Sequence, residues 1–494
     1  MGIIAWLALL ALQRKAIGAR TCAMTTFRKD SKAPLYRQVY NLVQQHIFDG
    51  SWKPGQKVPS IQSAMEDYGV GRNTVINAYQ QLVAEGYLEA RHGVGHFVAD
   101  VSLDALRRPD AATVLVPMKE TLPGQSRSTL LCDLSYGNLA PGTFPAKTWS
   151  KLTAEVLLSV KNEYEFVSYG ACFGDSGLRN EIARYLNASR DVGCTPEQVV
   201  LTSGIQDSIS RVLKLFDPKK DVLCMEDPGF PGARTVAEDA NFTLAYAPSD
   251  EGETAYLEAI DASRARLLYV TPSHQMPMGT HQSVDLRMRL LESALQTNAY
   301  ILEDDYDSVY RFDSMPIPTL KSLDRWGRVI YMGTLSKTLS PSMRIGFLVL
   351  PHTLLEKYLK RFQTYRCTVS WLNQETLRLF IKRGHFERHI RKTERMAKER
   401  HDLLLKLFKE QMPASVQCVG TSAGLHMLMH VGNGMNQEEL VASARENGVA
   451  IDSTRKYWHD PGNSPDDLVM IGYSGTRLED IPRGVALLRK AWFE

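Results

Sequence analysis

Tyr300-Ile301-Leu302-Glu303-Asp304-Asp305-Tyr306 and, further along, Val329-Ile330-Tyr331-Met332-Gly333-Thr334-Leu335-Ser336-Lys337 decide how this chain is read. Each starts as a short apolar run and ends in side chains that do chemistry: an acid and a phenol in the first, a lysine in the second. Similar runs at 199–202, 221–225, 267–270 and 346–350 are separated by helical patterns. That alternation predicts an α/β unit, a mainly parallel sheet with helices on its faces. Ligands of such sheets sit beyond the carboxyl ends of the strands, where Asp304, Tyr306 and Lys337 fall together. Asp305 and Asp307 are adjacent acids, and strand alternation turns Asp305 away if Asp304 faces the ligand.

Two further features join them. The run Leu201-Thr202-Ser203-Gly204-Ile205-Gln206 ends a strand and opens a helix, which would aim free backbone N–H groups at an anion. Arg344 follows Lys337 by seven residues. A lysine, an acid, a phenol and two phosphate donors are the set that pyridoxal phosphate needs: an amine for a Schiff base, a carboxylate to keep the pyridine nitrogen protonated, and donors for the phosphate. Singly, each residue has an ordinary alternative: the cations as solvated charges, Asp304 as a helix cap, Tyr306 as the edge of a core.

The whole chain has 494 residues, 44% hydrophobic and 23% charged, enough for two or more domains. Lys plus Arg is 58 against Asp plus Glu 55, so a net charge of +3 leaves any nucleic-acid surface a local matter. The seven cysteines form no CxxC or Cys/His cluster, which argues against a metal site or a disulfide framework and for a reducing cytoplasm. Residues 3–12 are apolar, but ten residues fall short of the roughly 20 of a membrane span, and Arg14 and Lys15 follow the run instead of preceding it. With Met24 opening the globular pattern, 1–24 reads as a leader from an upstream start codon, the alternative being a short membrane anchor. No other segment is apolar enough for a membrane.

Residues 25–100 are patterned as a small α+β module. Leu35, Val39, Leu42, Val43 and Ile47 recur at helical spacing; Ser60 can cap a short helix through Tyr68; Gly69-Val70-Gly71 breaks it before a helix from Arg72 to Glu85. That last helix places Val75, Tyr79, Leu82 and Val83 on one face and Arg72, Asn73, Asn77 and Gln80 on another, as a recognition helix would. Two short strands around Arg91-His92-Gly93 complete a winged helix-turn-helix. Eight Lys/Arg against seven Asp/Glu over 25–100 leave open an interaction module whose polar face meets water. Residues 101–130 hold no period and read as a linker to the large domain, 131–494.

The runs Leu35-Tyr36-Arg37-Gln38, Val58-Pro59-Ser60, Arg72-Asn73-Thr74-Val75, Glu85-Gly86-Tyr87 and Gly93-Val94-Gly95-His96-Phe97-Val98 resemble the DNA-binding domain of the GntR family. Gln62, Arg72, Asn73, Thr74, Asn77, Arg91, His92 and Gly93 then become the residues expected on a double-stranded DNA operator. Two departures are Gln62, where the family usually has an arginine, and Gly71, where it has a capping serine. Residues 165–350 resemble fold-type I aminotransferases through Gly177-Leu178-Arg179, Glu226-Asp227-Pro228-Gly229-Phe230-Pro231-Gly232, Thr271-Pro272-Ser273-His274-Gln275, Glu303-Asp304-Asp305-Tyr306 and Ser336-Lys337. Together the halves resemble the MocR subfamily, GntR-type regulators with an aminotransferase-like domain that binds pyridoxal phosphate and senses a small ligand.

The resemblance implies roles. Lys337 would carry the cofactor as an internal aldimine, Asp304 would pair its ring nitrogen, Tyr306 its hydroxyl, and Phe230 would stack on the ring. Thr334, Arg344 and Gly204-Ile205-Gln206 would hold the phosphate, and Tyr169 would reach the phosphate of the opposite subunit in a homodimer. An amino-compound effector would form an external aldimine in place of Lys337. Departures bear on turnover: Met276 stands where the family's loop asparagine is expected, and 468–473 lacks the usual carboxylate-binding arginine. Arg455, with Arg477 as a second choice, and Arg234 are the substitutes considered. Arg234 follows Phe230 by four residues, which gives GABA no support as ligand. An active aminotransferase with an appended DNA-binding module, and constitutive DNA binding with pyridoxal phosphate as a structural ligand or as the sensed signal itself, are the alternatives. The basic stretch 388–392 reads as a solvated helix face.

Overall fold

The computed structural model describes residues 33–100, 130–159, 164–312 and 317–494. The chain divides into two compact units between Pro123 and Gly124. The apolar run 3–12 and most of the linker stretch lie outside the described residues.

In the first unit, helices Leu35–Phe48, Ile61–Tyr68 and Arg72–Ala84 are followed by an antiparallel hairpin of β1 (Leu88–Arg91) and β2 (Gly95–Val98). Local chemistry fixes the boundaries. Ser60 Oγ accepts from Ser63 N at 3.1 Å, and Gly69 ends that helix in the left-handed region at φ 60°. Val39, Val43, Ile47, Val75, Tyr79 and Leu82 meet in one core, and the Tyr79 hydroxyl donates to Pro59 O at 3.1 Å.

The second unit is built on β4 (Val199–Thr202), β5 (Val222–Asp227), β6 (Thr243–Pro248), β7 (Leu267–Val270), β8 (Tyr300–Asp304), β9 (Val329–Thr334) and β10 (Gly346–Val349). They form one sheet in the order β4-β10-β9-β8-β7-β5-β6, parallel except for β10, which runs antiparallel to both neighbours. Alternation buries both faces: Met225, Tyr269, Leu302 and Met332 enter one core, while Cys224, Leu268, Ile301 and Tyr331 enter those on the other side. The edge strand β6 has no counterpart among the runs picked out from sequence. Its Thr-Leu-Ala-Tyr-Ala-Pro is mostly half-exposed and lacks the apolar density of the inner strands.

A smaller antiparallel sheet follows, formed by β11 (Val416–Val419), β12 (His426–Val431), β14 (Asp452–Ser453) and β15 (Leu468–Gly472) in the order β11-β12-β15-β14. β13 (Val449–Ala450) pairs in parallel with β3 (Cys132–Asp133), tying the start of the unit to its end. Helix His385–Gln411 leads into this part. Its basic stretch is exposed at Arg388, Arg391 and Lys392, but His389 is buried, its Nε2 2.8 Å from Thr338 O. Among the described residues no helix is long and apolar enough to cross a membrane.

Candidate functional site

The carboxyl ends of β8 and β9 open on one cavity of about 220 Å³. Asp304, the last residue of β8, faces it, as do Tyr306 just beyond and Lys337 in the turn after β9. Asp304 is 3% exposed. Its Oδ2 accepts from the Tyr269 hydroxyl at 2.5 Å, while Oδ1, equally buried, has no partner. Burial pushes this carboxyl up to about 7, although the Tyr269 bond favours the charged form. Asp305 points the opposite way, as strand geometry dictates, and is held by Arg190 Nε at 2.9 Å and by the Tyr331 hydroxyl at 2.5 Å. Burial raises its pKa, but Arg190 overcomes this and holds it below the usual range.

Lys337 Nζ lies 3.9 Å from the centre of the Tyr136 ring. Burial lowers its pKa to about 8, against the pull of Asp307 and Asp304, so the neutral amine is far more accessible near neutral pH than for an ordinary lysine, though the ammonium form still predominates. The Tyr306 hydroxyl sits 3.0 Å from His274 Nδ1, which also lies 2.8 Å from Asp307 Oδ2. Met276 presents its sulfur 3.8 Å from the same hydroxyl.

The opposite end of the cavity is built for an anion. Gly204 caps helix Ile205–Leu213 without any side-chain cap, leaving the first amides free, and Ile205 and Gln206 line the cavity. The backbone φ of +99° favours glycine there, and the missing Cβ lets the Arg344 guanidinium come close, since a Cβ would stand 2.7 Å from Arg344 Nη2. Arg344 donates to Ser203 O at 2.9 Å, and Thr334 Oγ1 bonds Ser336 Oγ at 3.0 Å beside it. Phe230, Thr334, Ser336 and Arg344 also line the cavity, with Tyr136, Thr271 and Met276.

Of the expected residues, Tyr169, Arg234, Arg455 and Arg477 are absent from this lining, as is Gly204, whose neighbours Ile205 and Gln206 face the cavity in its place. Tyr169 is 89% exposed and borders a separate cavity with Arg366 and Trp371. Arg234 donates from Nη1 to Trp458 O at 2.9 Å and from Nη2 to Tyr457 O at 2.8 Å. Arg455 pairs with Asp466 at 2.6 Å and Glu438 at 2.8 Å. Conversely, Tyr136, Tyr269 and Thr271 went unremarked as site residues. Tyr136 is some 200 residues from Lys337, and Tyr269 lies inside an apolar strand, where a tyrosine reads as core.

In the first unit, Arg72, Asn73 and Asn77 are exposed on one helix with Thr74 half-buried beside them, and Arg91, His92 and Gly93 form the hairpin tip. The Arg91 guanidinium lies over the Phe97 ring at 4.3 Å and 3.5 Å from Glu89. Gln62 is also exposed and donates to Glu66 at 2.8 Å.

Residues 35–98 match the model for bacterial regulatory proteins of the gntR family, and 129–460 match aminotransferase class I and II. The probable rhizopine catabolism regulatory protein MocR of Rhizobium meliloti is 32% identical over 95% of this chain and 96% of its own length. The chain belongs to the MocR subfamily of GntR-type transcription regulators. The HTH-type transcriptional regulator YdeL of Bacillus subtilis is 33% identical over 93% of this chain and 97% of its own. Among solved structures, the multiple substrate aminotransferase of Thermococcus profundus superposes with a TM-score of 0.67 at 25% identity, covering 79% of this chain and 98% of that one. The α-aminoadipate aminotransferase LysN of Thermus thermophilus gives 0.66 at 26%, covering 74% and 92%.

This MocR-type chain is thus a transcription regulator with an aminotransferase-like domain, whose fold implies pyridoxal phosphate binding. The residues fit that cofactor. The orphaned Asp304 Oδ1 is a buried acceptor waiting for a donor such as a protonated ring nitrogen, and the free amides after Gly204 with Arg344 suit a phosphate.

Proposed function

We propose that this chain regulates transcription by sensing a small amino compound at Lys337, with pyridoxal phosphate held in the 220 Å³ cavity. The observation that carries the reading is the pairing, across one cavity, of an amine depressed by burial to about 8 with a buried carboxylate oxygen that has no partner. The cofactor supplies an aldehyde carbon that binds amines and a pyridinium ring that withdraws electrons. Lys337 holds it covalently, Asp304 keeps the proton on its ring nitrogen, Tyr306 bonds its hydroxyl and Phe230 covers its face. Thr334, Arg344 and the amides of Gly204, Ile205 and Gln206 hold the phosphate. Exposed Tyr169 serves the opposite subunit of a cytoplasmic homodimer.

With the cofactor bound, an effector amine would replace Lys337 Nζ as the amine it holds, and Lys337 would be released as the free amine with nothing oxidised or reduced. Differential affinity of that effector for two arrangements of the protein is what shifts DNA binding. On the operator, Arg72, Asn73, Thr74 and Asn77 enter the major groove, and Gln62, Arg91, His92 and Gly93 meet backbone and flanking groove.

A working aminotransferase with an appended DNA-binding module is the second reading, supported by the retention of Lys337, Asp304 and Tyr306. Met276 beside the Tyr306 hydroxyl favours sensing, because a thioether is a weak partner where a polar amide would hold the ring. The visible spectrum of the cofactor-loaded protein, titrated with amines and amino acids while keto acid is assayed, separates them. A band that shifts and stops supports sensing. Decay of the band with stoichiometric keto acid supports the enzyme, and absence of any band removes Lys337 from its role.

A further inference from the structure

Resting on that reading, we infer that the ligand exchanged at Lys337 is an apolar primary amine without a neighbouring carboxylate, an arylalkyl or branched alkyl amine, and not an α-amino acid. Among the described residues of one chain, the cations on the cavity wall are Lys337 and Arg344. Arg344 stands at the anion end against Ser203 and Gly204, where the phosphate is expected. The other wall is apolar: Tyr136, Phe230 and Met276 line it, and Tyr457, Trp458 and Met470 pack behind.

The strand behind that wall brings no charge. Alternation along β15 sends Leu468 and Met470 to this cluster and Val469 and Ile471 to the opposite core, so its near face is entirely aliphatic and thioether. Of the three arginines within sequence reach, Arg477 is exposed and outside the cavity lining, and the other two are committed elsewhere. The two Nη groups of Arg234 donate to the carbonyls of Tyr457 and Trp458, tying the wall together, and Arg455 sits in ion pairs with Glu438 and Asp466.

Among the described residues, the charges that act on Lys337 are acidic. Asp304 and Asp307 both act on its amine, and both are almost fully buried. With Asp304 pairing the ring nitrogen, Asp307 is left to attract an incoming ammonium and to repel a carboxylate on the same ligand, and that carboxylate loses its hydration against Met276 and Phe230. Exclusion of the carboxylate is therefore built into both the apolar wall and the sign of the buried charge. The Tyr136 hydroxyl, buried and without a partner, can take one hydrogen bond from a ligand that has a polar tip.

Matched pairs test this: 2-phenylethylamine against phenylalanine, and 3-methylbutylamine against leucine. Each is titrated into the full-length, cofactor-loaded protein while the visible band is followed. The amine of each pair is expected to shift the band at a concentration at least about tenfold lower than its amino acid. An amino acid that binds as tightly as its amine, or a band that no amine moves, overturns the inference while leaving cofactor binding intact. A band that survives Lys337→Ala unchanged defeats the reading beneath it instead, so the two failures are told apart.

Discussion

The residues assigned to DNA and those assigned to the cofactor are held in opposite ways. Arg72, Asn73 and Asn77 stand in solvent on a helix whose other face, Val75, Tyr79 and Leu82, is core. Lys337 and Asp304 are enclosed, and burial moves both toward the neutral form, the amine down to about 8 and the carboxyl up to about 7. An exposed contact surface can change without disturbing its fold; an enclosed site is kept against a desolvation cost that its ligand relieves. Substitutions should therefore act on binding alone in the first region, and on binding and apo stability together in the second.

The largest effect is expected for Lys337→Ala: complete loss of the lysine-dependent visible band, read in the purified protein after cofactor loading. A persisting band would break the contrast at its centre. Asp304→Asn comes next, weakening cofactor retention about 100-fold, the scale of a buried charge-assisted hydrogen bond. Its effect on the apo protein has the opposite sign. A carboxyl raised from 3.8 to about 7 favours folding below the ordinary range, and that contribution is lost as pH climbs through 7. Wild-type apo protein thus loses stability between pH 4 and 8 partly through Asp304, and the asparagine variant loses less. Glu226 and Glu303 are also pushed up to about 7 by burial and give a parallel loss in both proteins, so the difference between the two melting curves isolates Asp304.

The same contrast decides what could be read from sequence. The three helices of the first unit were legible because their punctuation is local: Ser60 caps, Gly69 stops, and apolar residues recur at three and four. Six of the seven strands of the large sheet were legible as dense apolar runs, while β6, an edge strand, carried too little buried surface to stand out. The strand end bearing Asp304 and the turn bearing Lys337 were legible since chemistry follows strand ends. Tyr136 was not, because only the pairing of β3 with β13 and the packing of the smaller sheet bring it to Lys337. His389 hid in a basic stretch, and it is the Thr338 carbonyl one residue beyond Lys337 that draws it inward.

In the exposed region, Arg72→Ala should weaken operator binding about tenfold, the middle of the range for one base or phosphate contact. Its melting temperature should stay put, since Arg72 is exposed at a helix start where a cation is in any case unfavourable to the dipole. A drop in stability matching the loss of DNA affinity would show that the surface face is structural after all. Smaller again is Ser60→Ala, which removes the cap on Ser63 N and should cost the first unit about 1 kcal/mol in thermal or urea unfolding. Cofactor spectra should be unchanged by it.

The smallest effect sharpens the comparison most. Gln62 lies at the start of helix Ile61–Tyr68, exposed, with its amide spent on Glu66. Gln62→Arg adds one cation where the resemblance to GntR domains expects one. If that position faces a phosphate, the slope of log affinity against log salt should steepen by about 0.9, and affinity should rise a few-fold at low salt. Stability should move by less than about 0.5 kcal/mol, because Glu66 remains as a partner one turn on and nothing is buried. The two readouts separate two causes. A steeper slope with unchanged melting means that the residue meets DNA. An unchanged slope means that the introduced guanidinium pairs only with Glu66, so this helix lies off the backbone and the module docks through Arg72 to Asn77 and the hairpin tip without it.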